Sequence, residues 1–239
     1  RIDMASFIAA ANLCDEAVAL SAGGSEPRYR FDGIFDEGED GGSVLTAMSA
    51  SMHAVLRDNG GRLALTVLHN DLAAPVMTLS EADVIGPFNW EQTQPLEQHR
   101  NVVRGRYTDP SANALYQLVD YPEARIASPD GIDRILTLDL PGVQSASQAQ
   151  RLAKQALQRI QHGGVFTATL NAKGWALLVG DPVEWDFAPL GWVGKPMRLV
   201  ERTIRPDGVS DCVFAEENAA IYAWSAGDEK TPVTPAAPT

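Results

Sequence analysis

Residues 145–164 read Ser-Ala-Ser-Gln-Ala-Gln-Arg-Leu-Ala-Lys-Gln-Ala-Leu-Gln-Arg-Ile-Gln-His-Gly-Gly, and the next six, Val165-Phe-Thr-Ala-Thr-Leu170, switch to a strand-like pattern. Ala149, Leu152, Ala153, Ala156, Leu157 and Ile160 recur at three- and four-residue intervals, so they line one face of a helix. Ser145 and Gln148 have capping-box spacing, and Gly163-Gly164 end the pattern. The spacing predicts a helix over residues 145–162. Beyond it only strand signals occur: 165–170, a pair at 176–179 and 183–185 around Gly180-Asp-Pro, 195–204, 210–214 after the Pro206-Asp-Gly208 turn, and 221–224. One long helix followed by several short strands predicts a small antiparallel β-barrel or sandwich.

Toward the N-terminus helix and strand signals mix. Residues 4–16 read as a helix with Phe7, Ile8 and Ala11 on one face, and Arg28–Phe35 alternates as a half-buried strand does. Val44, Leu45, Met48, Met52, Val55 and Leu56 predict a second helix over 42–58, stopped by Asn59-Gly60-Gly61. Residues 62–68 and 76–79 read as strands, and Ser80–Asp83 as one capped helical turn. The character changes at Gly86-Pro87. Residues 88–100 are polar and irregular, 101–107 and 134–140 read as strands, and 111–131 as a weakly ordered loop. No repeat at a solenoid period is present. The expectation is an α+β chain divided into an N-terminal helix/strand domain (1–86), a β-rich domain carrying the long helix (87–228), and a Pro-rich linker (229–239).

Composition narrows the function classes. The chain has 239 residues, 45% of them hydrophobic, enough for one large or two small cores. Nineteen Lys and Arg stand against 31 Asp and Glu, for a net charge of -12, which disfavours nucleic-acid binding. No apolar run approaches the roughly 18 residues needed to span a bilayer. The start, RIDMASFIAAANLCDEAV, lacks the features of a signal peptide. Arg1 in place of an initiator Met, and the TPVTPAAPT tail, lead to the expectation that both ends are cut from a longer chain. Cys14 and Cys212 lie near opposite ends, without disulfide-framework or zinc spacing, and read as free buried thiols made in a reducing cytoplasm.

Each candidate for chemistry has a plainer reading. Cys14 stands late in its helix and beside Asp15 and Glu16, where both the dipole and the charges oppose a thiolate; it reads as packing. Asp36-Glu-Gly-Glu-Asp40 could hold a cation, but Gly38 and Ala47 occupy positions where a calcium loop needs ligands, and acids suit the start of the following helix. His53, His69, His99 and His162 form no zinc-binding pair. Gly191-Trp-Val-Gly-Lys195 is followed by Pro196, not the Ser or Thr of a phosphate loop. Asp181 and Glu184 could be a hydrolase dyad, although sequence spacing alone does not give their separation. Trp175, Trp185, Trp192 and Trp224 could form a glycan platform or fill a core.

A resemblance adds to this. RIDMASFIAAANLCDEAV, YRFDGIFDEGEDGGSVLTAMSASMHAVLRDNGGRLAL, RNVVRGRYTDP, LDLPGVQSASQAQRLAKQALQRIQ, LLVGDPVEW and AAIYAWSAGDE occur in that order. Their succession resembles the central region of phage tip attachment, or host-specificity, tail proteins of the J type in lambda-like phages, a tail hub family. The DEGED segment is more acidic than that family leads one to expect. The resemblance implies a non-enzymatic tail-tip hub or baseplate component that supports host attachment and sits at the virion tail tip after synthesis in the bacterial host cytoplasm. It also implies a hub-like domain at 87–228, a homotrimer among other tail-tip and baseplate proteins, DNA passing through a channel without specific binding, and no membrane insertion. It carries over no catalytic, cofactor-binding or metal-binding residues, and no cofactor. The competing expectation is a glycan-binding or hydrolase module acting on the host cell envelope.

Overall fold

The strands beyond residue 164 form a curled sheet with two strands from residues 77–91, while the long helix before them anchors a separate core. The computed structural model describes residues 1–58, 60–92, 99–110 and 116–232. Its helices are α1 (Met4–Cys14), α2 (Gly41–Ser51), α3 (Ala146–Gln161) and α4 (Ala219–Tyr222). Its strands are β1 (Ala17–Ala19), β2 (Ser25–Pro27), β3 (Ala54–Asp58), β4 (Leu63–Val67), β5 (Met77–Ser80), β6 (Val84–Glu91), β7 (Val102–Arg104) and β8 (Arg106–Asp109). They continue with β9 (Gln117–Asp120), β10 (Ala124–Arg125), β11 (Ile135–Thr137), β12 (Val165–Leu170), β13 (Pro182–Phe187), β14 (Trp192–Ile204) and β15 (Ser210–Glu216). The architecture is α+β.

The largest sheet has the order β5-β13-β14-β15-β12-β6. β5 runs parallel to β13, and the other neighbours are antiparallel. β5 and β6 sit at opposite edges, yet only Glu81–Asp83 separates them along the chain. From Ser80 to Val84 an extended backbone reaches roughly 14 Å. The two edges therefore meet at that end and the sheet curls into a partial barrel. Alternate residues point inward, as the two-residue period of a strand requires: Phe166, Ala168 and Leu170 on β12, Val183, Trp185 and Phe187 on β13, Met197 and Leu199 on β14, Cys212 and Phe214 on β15. Their rings meet edge to face, Phe166–Trp185 at 4.8 Å and Trp185–Phe214 at 5.4 Å between centroids.

The second core surrounds α3. Ala149, Leu152, Ala153 and Leu157 pack with Ala10, Val67, Val103, Tyr107, Val119, Tyr121, Leu140 and Val143. The helix stripe thus serves strands that precede it, not the barrel that follows. Those strands are short: the pairs β1–β2, β3–β4 and β8–β9, and a three-stranded sheet β10-β7-β11 in which β11 runs parallel to β7. Ser145 caps α3, its hydroxyl accepting from the Gln148 N–H at 3.1 Å. The Gln148 side chain does not complete the capping box. It exchanges hydrogen bonds with the Arg30 backbone and donates to the Ser51 carbonyl.

Several sequence expectations are corrected. The helix expected over 42–58 ends at Ser51; His53 takes φ 50, and Ala54–Asp58 turns back as β3 against Leu63–Val67. Val55 and Leu56 thus gain a hairpin partner, and Gly60 and Gly61, at φ 60 and 79, serve its turn instead of a helix end; Asn59 lies outside the described residues. Arg28–Phe35 is not a strand, because the Arg30 backbone is satisfied by the Gln148 amide. Residues 176–179 form a turn in which Leu178 N–H donates to Asp181. Residues 221–224 begin within α4, capped by Asn218 through Ala220 N–H. The weakly ordered loop contains β9 and β10; residues 111–115 lie outside the described residues, as do 233–239 of the expected linker. Gly86-Pro87 lies inside β6, an edge strand, where a proline's missing N–H need not break the ladder.

The strand expected over 101–107 is split at Gly105. A Cβ there would lie 2.0 Å from the Leu138 carbonyl oxygen and 3.0 Å from Tyr121 Oη. Gly105→Ala is expected to cost about 1–3 kcal/mol through overpacking, read as a lower urea midpoint with an unchanged denaturant slope.

Candidate functional site

The residues singled out by sequence are not brought together. Cys14 is half-buried against the α3 core, and its thiol is raised by burial first and by Asp15 second, with Arg28 opposing. Asp15 and Glu16 are exposed, and Glu16 pairs with Arg28 at 2.9 Å. Cys212 lies inside the barrel, where burial pushes its thiol up to about 11. Neither sulfur has thiolate character. Asp40 caps α2 by accepting from Ser43 N–H. Gly191, left-handed at φ 68, ends a 3-10 turn between β13 and β14, and Gly194 N–H donates to Asp186; the segment is a strand–turn–strand. Asp181 lines a cleft beneath α1, whereas Glu184 lines a different cavity beside Gly194 and Asn218. Trp185 is in the barrel core, Trp192 packs on Trp90, Trp224 lies under Lys154, and Trp175 is exposed. Among the described residues no group of three or more His, Cys, Asp or Glu is placed to hold a metal. No described helix is long and apolar enough to cross a membrane.

What the structure does assemble is a buried ionic junction. Arg198 stands on β14 between inward-facing Met197 and Leu199, so it points out of the barrel toward α3, α4 and the segment after β4. Its Nε donates to Glu217 Oε1 at 3.1 Å, and Nη2 to the His69 carbonyl at 3.1 Å and to the Asp71 carboxylate. Nη1 donates to the Gly180 carbonyl at 2.6 Å. Glu217 also accepts from Arg159 Nη1 of α3 and from the Tyr222 hydroxyl of α4, both at 2.8 Å. Burial alone would lower the Arg198 pKa, but Asp71, Tyr222 and Glu217 outweigh it and raise it. Burial raises that of Tyr222. Two guanidiniums and two carboxylates balance: Arg159 ties α3 to Glu217 just after β15, Arg198 ties β14 to His69 and Asp71 beyond β4, and the Arg198 bonds to Glu217 and Gly180 link neighbouring parts of the barrel. A second device acts at the N-terminal end of α3. Arg151, 2% exposed, donates to Glu26 at 2.8 Å and to the Arg28 carbonyl at 2.8 Å. Sequence reasoning missed both clusters, because their partners lie far apart in the chain. The available signal was Arg151 and Gln155 flanking the apolar stripe, and a lone Arg within the Met197–Leu199 strand.

His53 is tied to the same helix. Its Nδ1 lies 2.8 Å from Gln155 Oε1, and Gln155 also meets the Tyr29 hydroxyl. Burial chiefly, then the Arg159 charge, lowers its pKa from 6.5 to about 4. The folded value lies below the unfolded one, so the folded state favours neutral imidazole. That contribution is complete above pH 6.5 and is lost as pH falls from there through about 4. It is worth up to about 3 kcal/mol at roughly 1.4 kcal/mol per unit. Urea unfolding between pH 7 and 4 should show this loss, and His53→Asn, which tolerates the left-handed backbone, should flatten the slope. An unchanged slope in the variant would remove His53 as its source.

The outer surface carries the remaining features. α1 is apolar nearly all round, yet only one side is covered, and Met4 and Ile8 stand 61% and 56% exposed. Between α1, β4 and the start of β13 lies a cleft of about 590 Å³. The Arg57–Asp181 pair, 2.8 Å apart, lies within it. Asp181 is engaged by Arg57 and by Leu178 N–H, so it is not a free base. Among the described residues this cleft presents no assembled catalytic group.

The family described as "Putative phage tail protein" matches residues 40–199. No curated protein matches the chain. The fold is similar to a chain of the virion of the native gene transfer agent particle, with a TM-score of 0.66 at 17% identity over 92% of this chain and 47% of that one. A 43 kDa tail protein of prophage MuSo2 from Shewanella oneidensis aligns at TM-score 0.48 and 16% identity, over 78% of this chain and 57% of that one. Prophage tail protein gp18 from Listeria monocytogenes EGD-e aligns at 0.37 and 14%, over 73% and 52%. The chain spans about half the length of the solved chains it matches.

Proposed function

This chain belongs to that phage tail protein family, and on that premise we propose that it is a non-catalytic structural subunit of a phage or prophage tail, built into the hub at the distal tip and supporting host attachment. The observation that carries this reading is the extent of the family match, from the N-cap of α2 into β14, which takes in parts of both cores and all of α3. The ionic junction agrees with a structural role, since it ties the barrel to α3 and to the segment after β4 by charge-assisted bonds of defined geometry. The hub assembles as a homotrimer with other tail-tip and baseplate proteins. Closed symmetry covers sheet edges and apolar faces that would otherwise aggregate. A net charge of -12 limits sticking to DNA passing through a central channel. The subunit is made in the host cytoplasm and does not insert into membrane.

The alternative, a hydrolase or glycan-binding module acting on the cell envelope, has less support. Asp181 and Glu184 open onto different cavities, and three of the four C-terminal tryptophans are occupied in packing. Light scattering of the purified protein across a concentration series tests the hub reading. A trimer mass at the highest concentrations is expected. A monomer throughout would place trimer formation elsewhere or remove it.

A further inference from the structure

The segment between β2 and α2 is neither strand nor helix, yet it is fixed at both ends. Phe31 lies against the backbone at Gly142, where a Cβ would come within 2.0 Å of its ring. Asp32 N–H donates to the Gly142 carbonyl at 2.8 Å, and Gln144 Nε2 donates to the Asp32 carbonyl at 3.3 Å. Phe35 stacks on Phe31 with centroids 5.5 Å apart and planes 5° from parallel. At the far end Asp40 caps α2. Between these anchors Ile34 is 95% exposed, the most exposed large apolar side chain among the described residues.

Charge surrounds this tip on one side. Asp36, Glu37 and Glu39 are exposed and have no ion-pair partner among the described residues. An apolar side chain held out in water on an anchored arm gains nothing for the fold of this chain. It does lower the ordering cost of binding, because the arm is already in place.

We propose that the arm Phe31–Asp40 is a docking element that inserts Ile34 into an apolar socket rimmed by Lys or Arg on a different protein of the particle. The three unpaired carboxylates select the rim, since they are uncompensated within this chain and would steer a basic surface onto the tip. A second copy would bring the same carboxylates toward these if it met the tip with its own arm, and its 31 acids against 19 bases leave little basic surface to form such a rim. The inference rests on the tail-subunit reading.

The test places a benzophenone photo-crosslinking amino acid at Ile34 of the full-length protein in assembled particles. Irradiation is expected to join it to a polypeptide other than itself, at an apolar position flanked by basic residues. Reversing the three charges together (Asp36→Lys, Glu37→Lys, Glu39→Lys) should cut that adduct at least tenfold while the melting transition of the purified variant stays in place. Particles that contain the protein but give no adduct, an adduct only with a second copy, or an adduct insensitive to charge reversal overturn the inference alone. Particles that lack the protein overturn the tail reading and the inference with it.

Discussion

Arg198→Met is expected to lower the unfolding free energy by about 3–5 kcal/mol, the usual cost of removing one partner from a buried ionic cluster. Arg198 is 2% exposed and Glu217 fully buried, so solvent cannot replace what is lost. Without the guanidinium, Glu217 keeps Arg159 and Tyr222 but loses one charge partner, Asp71 loses its cation, and the Gly180 carbonyl loses its donor, while the His69 carbonyl keeps the Asp71 N–H. Arg198→Lys should recover only part, since a single ammonium cannot reproduce a fork that reaches Glu217, Asp71 and two carbonyls. The junction joins barrel to α3 core, so intrinsic fluorescence from the barrel tryptophans and far-ultraviolet ellipticity from α3 should separate into distinct transitions in the variant. A midpoint shift equivalent to less than about 1 kcal/mol, typical of an exposed ion pair, would contradict the role given to Arg198.

Leu152→Asp and Leu157→Asp are each expected to abolish cooperative folding of the α3 core. Both positions are nearly sealed from water, at 4% and 2% exposure, within an apolar cluster. Burying a lone carboxylate costs several kcal/mol, comparable with the whole stability of a domain, about 5–15 kcal/mol. The affected region should include β7, β8 and β9, whose Val103, Tyr107 and Val119 share that cluster, before it reaches the barrel through the ionic junction and the Arg57–Asp181 pair. Hydrogen exchange resolves this: amides of β7 and β8 should lose protection before those of β12 and β15. Normal cooperative melting in both variants would show that the buried face of α3 is misassigned.

The legible parts of the fold were those in which local pattern and tertiary environment agree. The α3 stripe, the β12 alternation and the Pro206-Asp-Gly208 turn have matching periodicity, capping and burial, so sequence and structure coincide there. The segment 42–58 was misread because Val55 and Leu56 satisfy helical spacing and strand propensity equally, and the hairpin partner that decides between them lies beyond Gly60-Gly61. Arg28–Phe35 alternates like a strand but is held by side chains of α3, a contact with no local signature. The polar side of α3 would be read as solvated; instead Gln148, Arg151 and Gln155 are buried, each tied to the N-terminal segment. The site was less legible than the fold, because ionic pairing between residues as distant as Asp71 and Arg198 leaves no trace in spacing. The acidic segment was singled out for a cation or a helix cap. Asp40 is the cap, while the exposed Ile34 beside it was hidden inside an expected strand.

The proposed place of this chain at the tail tip is decided by immunogold labelling of purified particles with antibody against the chain. Label at the distal end of the tail, in particles whose protein content includes the chain, is the expected result. Label along the capsid, or purified particles from which the chain is absent, would contradict it.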